Sequence, residues 1–420
     1  MTPFRKPIQV EEVIGKIWEY YRGGKNEIVR LRDSLDRFLA EDIIATTDIP
    51  RFDKSPYDGF ALRSIDVKEA TREHIIELKV IDRIGAGMIS KKKVQPFEAI
   101  RIMTGAQMPD GCDAVIMLEL AKEMIKNGET YIQVNRSLKQ GDNISFQGED
   151  IAKGKKIIEA GMKINPGIQS ILATFGYSQV KVKRPPIIGV FAAGSELLDA
   201  EDALVPGKIR NSNSYMLCGQ IERSGGKPYH YGIMPDSLED GYTAIKEVLE
   251  EVDIIVTTGG VSVGDFDYMP IIYEKLQANI LCNKIAMRPG SVTTIAEVDG
   301  KLLFGLSGNP SACYVGFELF LRPLIRDILG SKKPFAKKVK AVLGEDFPKA
   351  NPFTRFVRSK LSFQDTRLVA KPIGLDKSSV IYSLGLADCL LILPGGSRGF
   401  QKGTEVEVLL LEDQEGGEIY

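Results

Sequence analysis

Histidine is nearly absent. The chain has 420 residues and two histidines, His74 and His230, which excludes a metal centre built on several imidazoles and a zincin-type helix. Each reads as a surface or half-buried ring. Cysteine is scarce and scattered. Cys112, Cys218, Cys282, Cys313 and Cys389 form an odd set without a CxxC pair, so redox and zinc-ribbon motifs are excluded and a reducing compartment fits. A surplus of one charge is also missing. Lys and Arg number 55 against 56 Asp and Glu, net −1, so the electrostatic footprint of nucleic-acid binding is absent. No apolar run nears the ~18 residues of a membrane span. The opening MTPFRKPIQVEE lacks the apolar core of a secretion signal. These absences point to a cytoplasmic protein with no nucleic-acid and no membrane partner.

What remains is ordinary globular material, 43 % apolar and 26 % charged, long enough for two to four domains. Val10, Val13, Ile14, Ile17 and Tyr21 share one helical face, and DSLDRFLAEDI reads as a second helix. Residues 75 to 135 are short apolar runs broken by Gly, Pro and Asp-Gly turns, the pattern of a β-rich domain. After Arg184-Pro185-Pro186 the pattern alternates strand and helix. IIGVFAAG, KPYHYGIM and DIIVTTGG read as strands. NSNSYMLCGQIERSG and SLEDGYTAIKEVLEEV read as helices, the latter capped by Ser237. TTIAEVDGKLLFGL reads as a hairpin turning at Asp299-Gly300, and SACYVGFELFLRPLIRDILG as a long closing helix. The expected fold is multidomain α/β. A doubly wound α/β domain spans 184–332. An N-terminal linker domain takes 1–48 and 141–183, a β-rich domain 49–140 is inserted in it, and a small β-barrel spans 333–420, with EDQEGGEIY as a loose acidic tail. Ligands of a doubly wound sheet bind past the carboxyl ends of its strands.

Several loops carry the chemistry. In TTGGVSVGDFDY, Gly259 and Gly260 let backbone N–H groups approach a ligand and Ser262 adds a hydroxyl. Asp265 and Asp267 follow, and carboxylates beside a phosphate-sized nest suit a bridging Mg²⁺. FAAGSELLD repeats the logic with Glu196; its plainer reading is a helix-capping Ser195 beside a solvated Glu196. Ser307, Gly308, Asn309 and Pro310 open the long helix, where free N–H groups favour an anion, unless Pro310 only begins the helix. Lys284 and Arg288, four apart, can converge on an oxyanion or remain lone surface cations. Asp58 and Thr104 fall in turns and read as structural on their own. Glu149 and Asp150 are either metal ligands or an acidic turn.

Taken in order, FDKSPYDGFALR, RIMTGAQMPDGCDAVIMLE, GEDI, AAGSELL, GKIRNSNSYML, VTTGGVSVGDFDY, MRPG, LFGLSGNPSACYVGFELFLRP and LPGGSRGF resemble the molybdopterin molybdenumtransferase family, MoeA in bacteria and the E domain of gephyrin. The likeness runs from about residue 8 to 410. It implies a Mg²⁺-dependent transferase of molybdenum cofactor biosynthesis that takes adenylated molybdopterin and molybdate and releases AMP. It implies an α/β domain like that of MogA, the partner enzyme that adenylates the pterin. It also implies a homodimer with a shared active cleft that works with the adenylyltransferase and other cofactor-biosynthesis proteins.

Carried over residue by residue, the resemblance gives Glu196, Asp236 and Asp267, with Asp150, to Mg²⁺ and the pterin phosphate. Lys284 and Arg288 would hold phosphate or molybdate. Asp58 and Thr104 would complete the cleft from the neighbouring chain, and Arg358 and Ser383 would contribute to an oxyanion site. Three positions depart from the family pattern: Ser195 where many members have Asp, Ser291 in RPGSV where many have the second Lys of KPGKP, and Ser307 where PGNP is usual. Two alternatives stand beside the leading reading, a molybdopterin adenylyltransferase and a non-catalytic scaffold of the same fold.

Overall fold

Where a cavity forms follows from how strands buried on both faces are stacked. The computed structural model describes residues 6–20, 23–235, 237–260, 268–350, 352–364 and 366–411. Two units emerge, one comprising residues 42–159 and 167–178 and the other the remaining described residues.

In the smaller unit, six strands form a sheet in the order Ala114–Met117, Gly59–Leu62, Glu98–Ile102, Ile76–Ile84, Glu129–Val134, Ala121–Lys126. Every pairing is antiparallel except that of Ile76–Ile84 with Glu98–Ile102. Period-2 alternation sends Phe60, Leu62, Ile116 and Ile132 into one buried cluster and Ala61, Ile100, Ile102 and Val115 into another. The expected β-rich character of this stretch is what the chain adopts.

The larger unit holds the α/β domain. We label its strands β1 (Ile187–Ala192), β2 (Lys227–Ile233), β3 (Ile254–Thr258), β4 (Asn279–Cys282), β5 (Thr294–Val298) and β6 (Lys301–Leu306). Its helices are α1 (Asn213–Ser224), α2 (Leu238–Glu251) and α3 (Met269–Lys275). A long helix over 310–328 closes it, continuous through one π turn at Phe317–Leu321. The sheet order is β2-β1-β3-β6-β5-β4. The first four are parallel, and β5 turns back antiparallel beside β6 through Asp299 (φ 50°) and Gly300 (φ 80°). Both faces are covered, as a parallel sheet requires. Ile188, Val190, Val256 and Phe304 pack with α1 and the long helix, whereas Phe191, Ile255 and Leu303 pack with α2 and α3. Ser237 caps α2 by accepting from the N–H of Asp240. The helix Val10–Tyr20 adds Val10, Val13 and Ile17 to the first cluster.

At the C-terminus, Thr354–Gln364, Arg367–Pro372, Lys338–Leu343, Glu405–Leu410 and Cys389–Leu393 pair in that order, and the last pairs again with the first. Closure leaves this small barrel without a free edge. One expectation fails. DSLDRFLAEDI is not a helix; only Leu31–Asp33 makes a 3₁₀ turn. Phe38 and Leu39 are instead bridged to Lys163 and Val182, so strand-like pairing outweighs local helical spacing. No helix among the described residues is long and apolar enough to cross a membrane.

Candidate functional site

Parallel register brings the loops together. Ala192 of β1 pairs with Thr258 of β3, and Thr258 pairs with Leu306 of β6. The segments after these strands therefore begin side by side. The chain also reverses direction of travel across the sheet between β1 and β3, the place where a doubly wound sheet opens a crevice. A cavity of about 730 Å³ lies there. Ala193–Glu196 line it after β1, Met234, Pro235 and Ser237 after β2, Gly259 and Gly260 after β3, and Ser307–Asn309 after β6.

The close approach of these loops explains Gly259. Its φ is +87°, and a Cβ there would stand 2.2 Å from the carbonyl oxygen of Ala193. Gly308 has the Cα of Gly259 only 3.4 Å from where its own Cβ would be. Glu196 leads into a two-residue ribbon in which Leu197–Leu198 pairs with Ile209–Arg210. No helix starts at Ser195, so the capping alternative for that residue is not what the fold uses. Glu196 is exposed at the cavity wall.

Asp236, Ser262, Asp265, Asp267 and the acidic tail lie outside the described residues. Of the expected site residues, Glu196, Gly259, Gly260, Ser307 and Asn309 line this cavity, and Pro310 begins the long helix. Lys284 and Arg288 are not among its walls. Lys284 is half-buried and its carbonyl accepts from the N–H of Ile8; Arg288 is exposed. Arg358 and Ser383 are interior, 2 % and 1 % exposed. The Arg358 Nε donates to Ser383 Oγ at 2.6 Å, and its Nη2 donates to the Leu375 carbonyl at 3.0 Å. This guanidinium therefore clamps the 375–383 loop. That loop in turn meets the long helix, where Ser311 donates its N–H to Ser378 and its hydroxyl to Val380.

In the smaller unit, Asp58 and Thr104 are brought together. Gly59 and Ile102 are ladder partners, which sets the residues just beyond them face to face. One carboxylate oxygen of Asp58 accepts both the N–H and the hydroxyl of Thr104, each at 2.8 Å. These two bonds hold the Asp58 carboxyl below its ordinary pKa. Asp150 is exposed, and Glu149 caps its own turn by accepting from the N–H of Phe146. Among the described residues, no three His, Cys, Asp or Glu side chains are grouped to hold a metal ion. Burial pushes the thiols of Cys112, Cys282 and Cys313 up to about 12, so none is a thiolate nucleophile at neutral pH.

Comparisons with known proteins agree along the chain. Residues 8–176 match the MoeA N-terminal region (domain I and II), 189–327 a probable molybdopterin binding domain, and 340–411 the MoeA C-terminal region (domain IV). The chain belongs to the MoeA family. A Bacillus subtilis protein named molybdopterin molybdenumtransferase is 51 % identical over 418 residues, covering 100 % of this chain and 97 % of that one. A Staphylococcus epidermidis protein of the same name is 50 % identical over 408 residues, 97 % of this chain and 96 % of its own. Two crystal structures of the molybdopterin biosynthesis MoeA protein of Pyrococcus horikoshii superpose with TM-scores of 0.85 and 0.82 at 30 % identity. They cover 97 % of this chain and 100 % of theirs.

Ser195, Ser291 and Ser307 have visible local work. The Ser291 hydroxyl donates to the Ile285 carbonyl and its own carbonyl accepts from Ile285, closing the loop that carries Arg288. The Ser307 Oγ accepts from the N–H of Asn309. Lys208 donates to the carbonyl of the exposed Ser195. Sequence reasoning missed Asn213 and Thr258. Asn213 Nδ2 donates to Thr258 Oγ1 at 2.8 Å and to the Gly308 carbonyl at 2.9 Å. The polar NSNS run at the start of α1 was the one available signal.

Proposed function

We propose that this chain carries out the molybdenum-insertion step for which its relatives are named, using adenylated molybdopterin and molybdate as substrates. The cavity at the carboxyl ends of β1, β3 and β6 carries this reading, because it lies within the stretch that matches the molybdopterin-binding domain. A diphosphate fits such a place. Glycine turns allow backbone N–H groups to approach phosphate oxygens, and the start of a long helix favours negative charge.

The reaction breaks the P–O–P bond of the adenylated pterin. A new P–O bond forms from the pterin phosphorus to an oxygen of molybdate or water as its bond to the bridging oxygen breaks, AMP departs with that oxygen, and molybdenum bonds the two dithiolene sulfurs as one molybdate oxygen leaves with the two thiol protons as water. Glu196 is the described carboxylate at the cavity. Mg²⁺ binds through one or two carboxylates plus phosphate oxygens, so this donor set suits an ion carried in on the diphosphate. Glu196 would hold it with Asp236 and Asp267, and when bound it supplies Lewis-acid stabilisation of the departing phosphate charge. Lys284 and Arg288 supply cations that offset repulsion between two anionic substrates. We assign Arg358 and Ser383 to holding the 375–383 loop against the helix start.

The active form we propose is a homodimer in which the Asp58–Thr104 pair of one chain completes the cleft of the other. Purified protein given adenylated molybdopterin, Mg²⁺ and molybdate is expected to release AMP and retain molybdenum on the pterin. Folded protein that produces neither would overturn this reading and leave the scaffold alternative.

A further inference from the structure

We infer that Asn213 is a positioning residue of the nucleotide cavity: its side-chain amide locks the loop after β6 to the end of β3. The inference rests on the nucleotide reading given under Proposed function. It deepens that reading by naming a residue that touches no substrate yet sets the shape of the wall.

Asn213 stands in the first turn of α1 and is 7 % exposed. Its orientation is fixed by chemistry. The Gly308 carbonyl can only accept, so the amide nitrogen must face it. The same nitrogen donates to Thr258 Oγ1, whose hydroxyl in turn donates to the Ser307 carbonyl at 3.1 Å. One amide thus ties three elements that are remote in sequence. Helix α1, the last residue of β3 and the Ser307–Gly308 turn become one hydrogen-bonded unit. Ser307 and Gly308 are cavity walls, and so is Gly259, the residue after Thr258. Asn213 itself is not. Among the described residues the Asn213 Oδ1 finds no hydrogen-bond partner, so the two donated bonds orient the amide.

Simple packing would not need this arrangement. An apolar side chain of the same size fills the space but leaves the Gly308 carbonyl and Thr258 Oγ1 without their donor. Aspartate fills it too, and then sets an acceptor against the Gly308 carbonyl. A structural filler would tolerate one of these exchanges; a latch tolerates neither.

The test compares Asn213→Ala, Asn213→Asp, Thr258→Val and the Ala/Val double variant with the unaltered protein. Four readouts are taken: AMP affinity by calorimetry, KM and kcat with the adenylated substrate, amide exchange at Ser307–Asn309, and melting temperature. Losing one buried donor is expected to weaken AMP binding and raise KM for the adenylated substrate by about tenfold, with kcat less affected. Asn213→Asp should do more harm than Asn213→Ala. The double variant should lose little beyond Asn213→Ala, because both act through one chain of bonds. Exchange at Ser307–Asn309 should speed up while the strands β1 and β3 stay protected. A lower melting temperature with unchanged AMP affinity and unchanged loop exchange would overturn the inference. If the unaltered protein neither binds nor releases AMP, the nucleotide reading fails by itself. The exchange measurement still decides whether Asn213 holds the loop.

Discussion

Substituting Gly259 with alanine tests whether the closeness of two strand ends makes the cavity. Gly259 has φ +87°, and its Cβ would lie 2.2 Å from the Ala193 oxygen and 3.3 Å from the Ala193 carbonyl carbon. A carbon and an oxygen in ordinary contact sit about 3.3 Å apart or more, so one loop must retreat by roughly 1 Å. The retreat pulls on the bond from the Ala193 N–H to the Thr258 carbonyl, now 2.8 Å. The left-handed conformation alone costs a side chain about 1–2 kcal/mol. A weakened backbone bond adds about 1 kcal/mol. The total is about 2–3 kcal/mol, or several degrees of melting temperature for a domain of this size. Gly300→Ala is the internal control. Its φ is +80°, but nothing lies within 4 Å of the added carbon, so only the conformational part remains. Both variants are unfolded thermally and assayed for AMP release. Gly259→Ala should lose about twice the stability of Gly300→Ala and most of its activity, whereas Gly300→Ala should keep its activity. Equal stability losses with full AMP release from both would refute the argument that this contact shapes the site.

Glu196→Ala should cut turnover sharply and leave the melting temperature nearly unchanged, because Glu196 is exposed at the cavity wall; mixing it with Asp58→Ala should restore part of the activity if the cleft is shared between chains, and heterodimers with no recovery would count against sharing. Asp58 is stabilised as a carboxylate by Thr104, so its pKa lies below the ordinary value near 3.8; the contribution is present above that ordinary value and is lost as pH falls through the lowered folded value, and a carboxyl NMR titration should show the Thr104 amide shifting in step. Glu318→Gln should destabilise by about 3–5 kcal/mol, read by thermal unfolding, because Glu318 is 4 % exposed between Arg223 and Arg322 and accepts from Gln220.

How far the sequence revealed this architecture depends on the range of the forces involved. Alternating apolar positions decide local structure, so the strand–helix succession after Pro186, the Ser237 cap and the Asp299-Gly300 turn were all readable. The stretch around Phe38 was misread for the same reason. Its spacing suits a helix, but the decisive partners, Lys163 and Val182, lie over a hundred positions away. Glu196, Gly259 and Ser307 were legible as candidates because each stands in a loop just after a strand, beside glycines that let backbone N–H groups approach a ligand. The pairing of Asp58 with Thr104 was not. It depends on the register of Gly59 against Ile102, which nothing in either turn declares.

The same distance argument explains why the supporting residues were the least visible. A residue that contacts a ligand tends to sit in a loop with unusual composition, whereas one that fixes such a loop can be any buried polar group. Asn213 and Gly308 are 95 positions apart, and Arg358 and Ser383 are 25 apart. Both pairs act on segments beside the helix start at 310, Asn213 through the Gly308 carbonyl and Arg358 through the 375–383 loop that Ser311 engages. Burying a hydrogen-bonding group is costly unless it is paired. Two separately paired polar groups converging on one turn therefore indicate that the position of this turn is held more tightly than packing alone requires. A wall that receives a diphosphate has that requirement, because an oriented N–H group serves the transition state only if it need not be moved into place during the reaction.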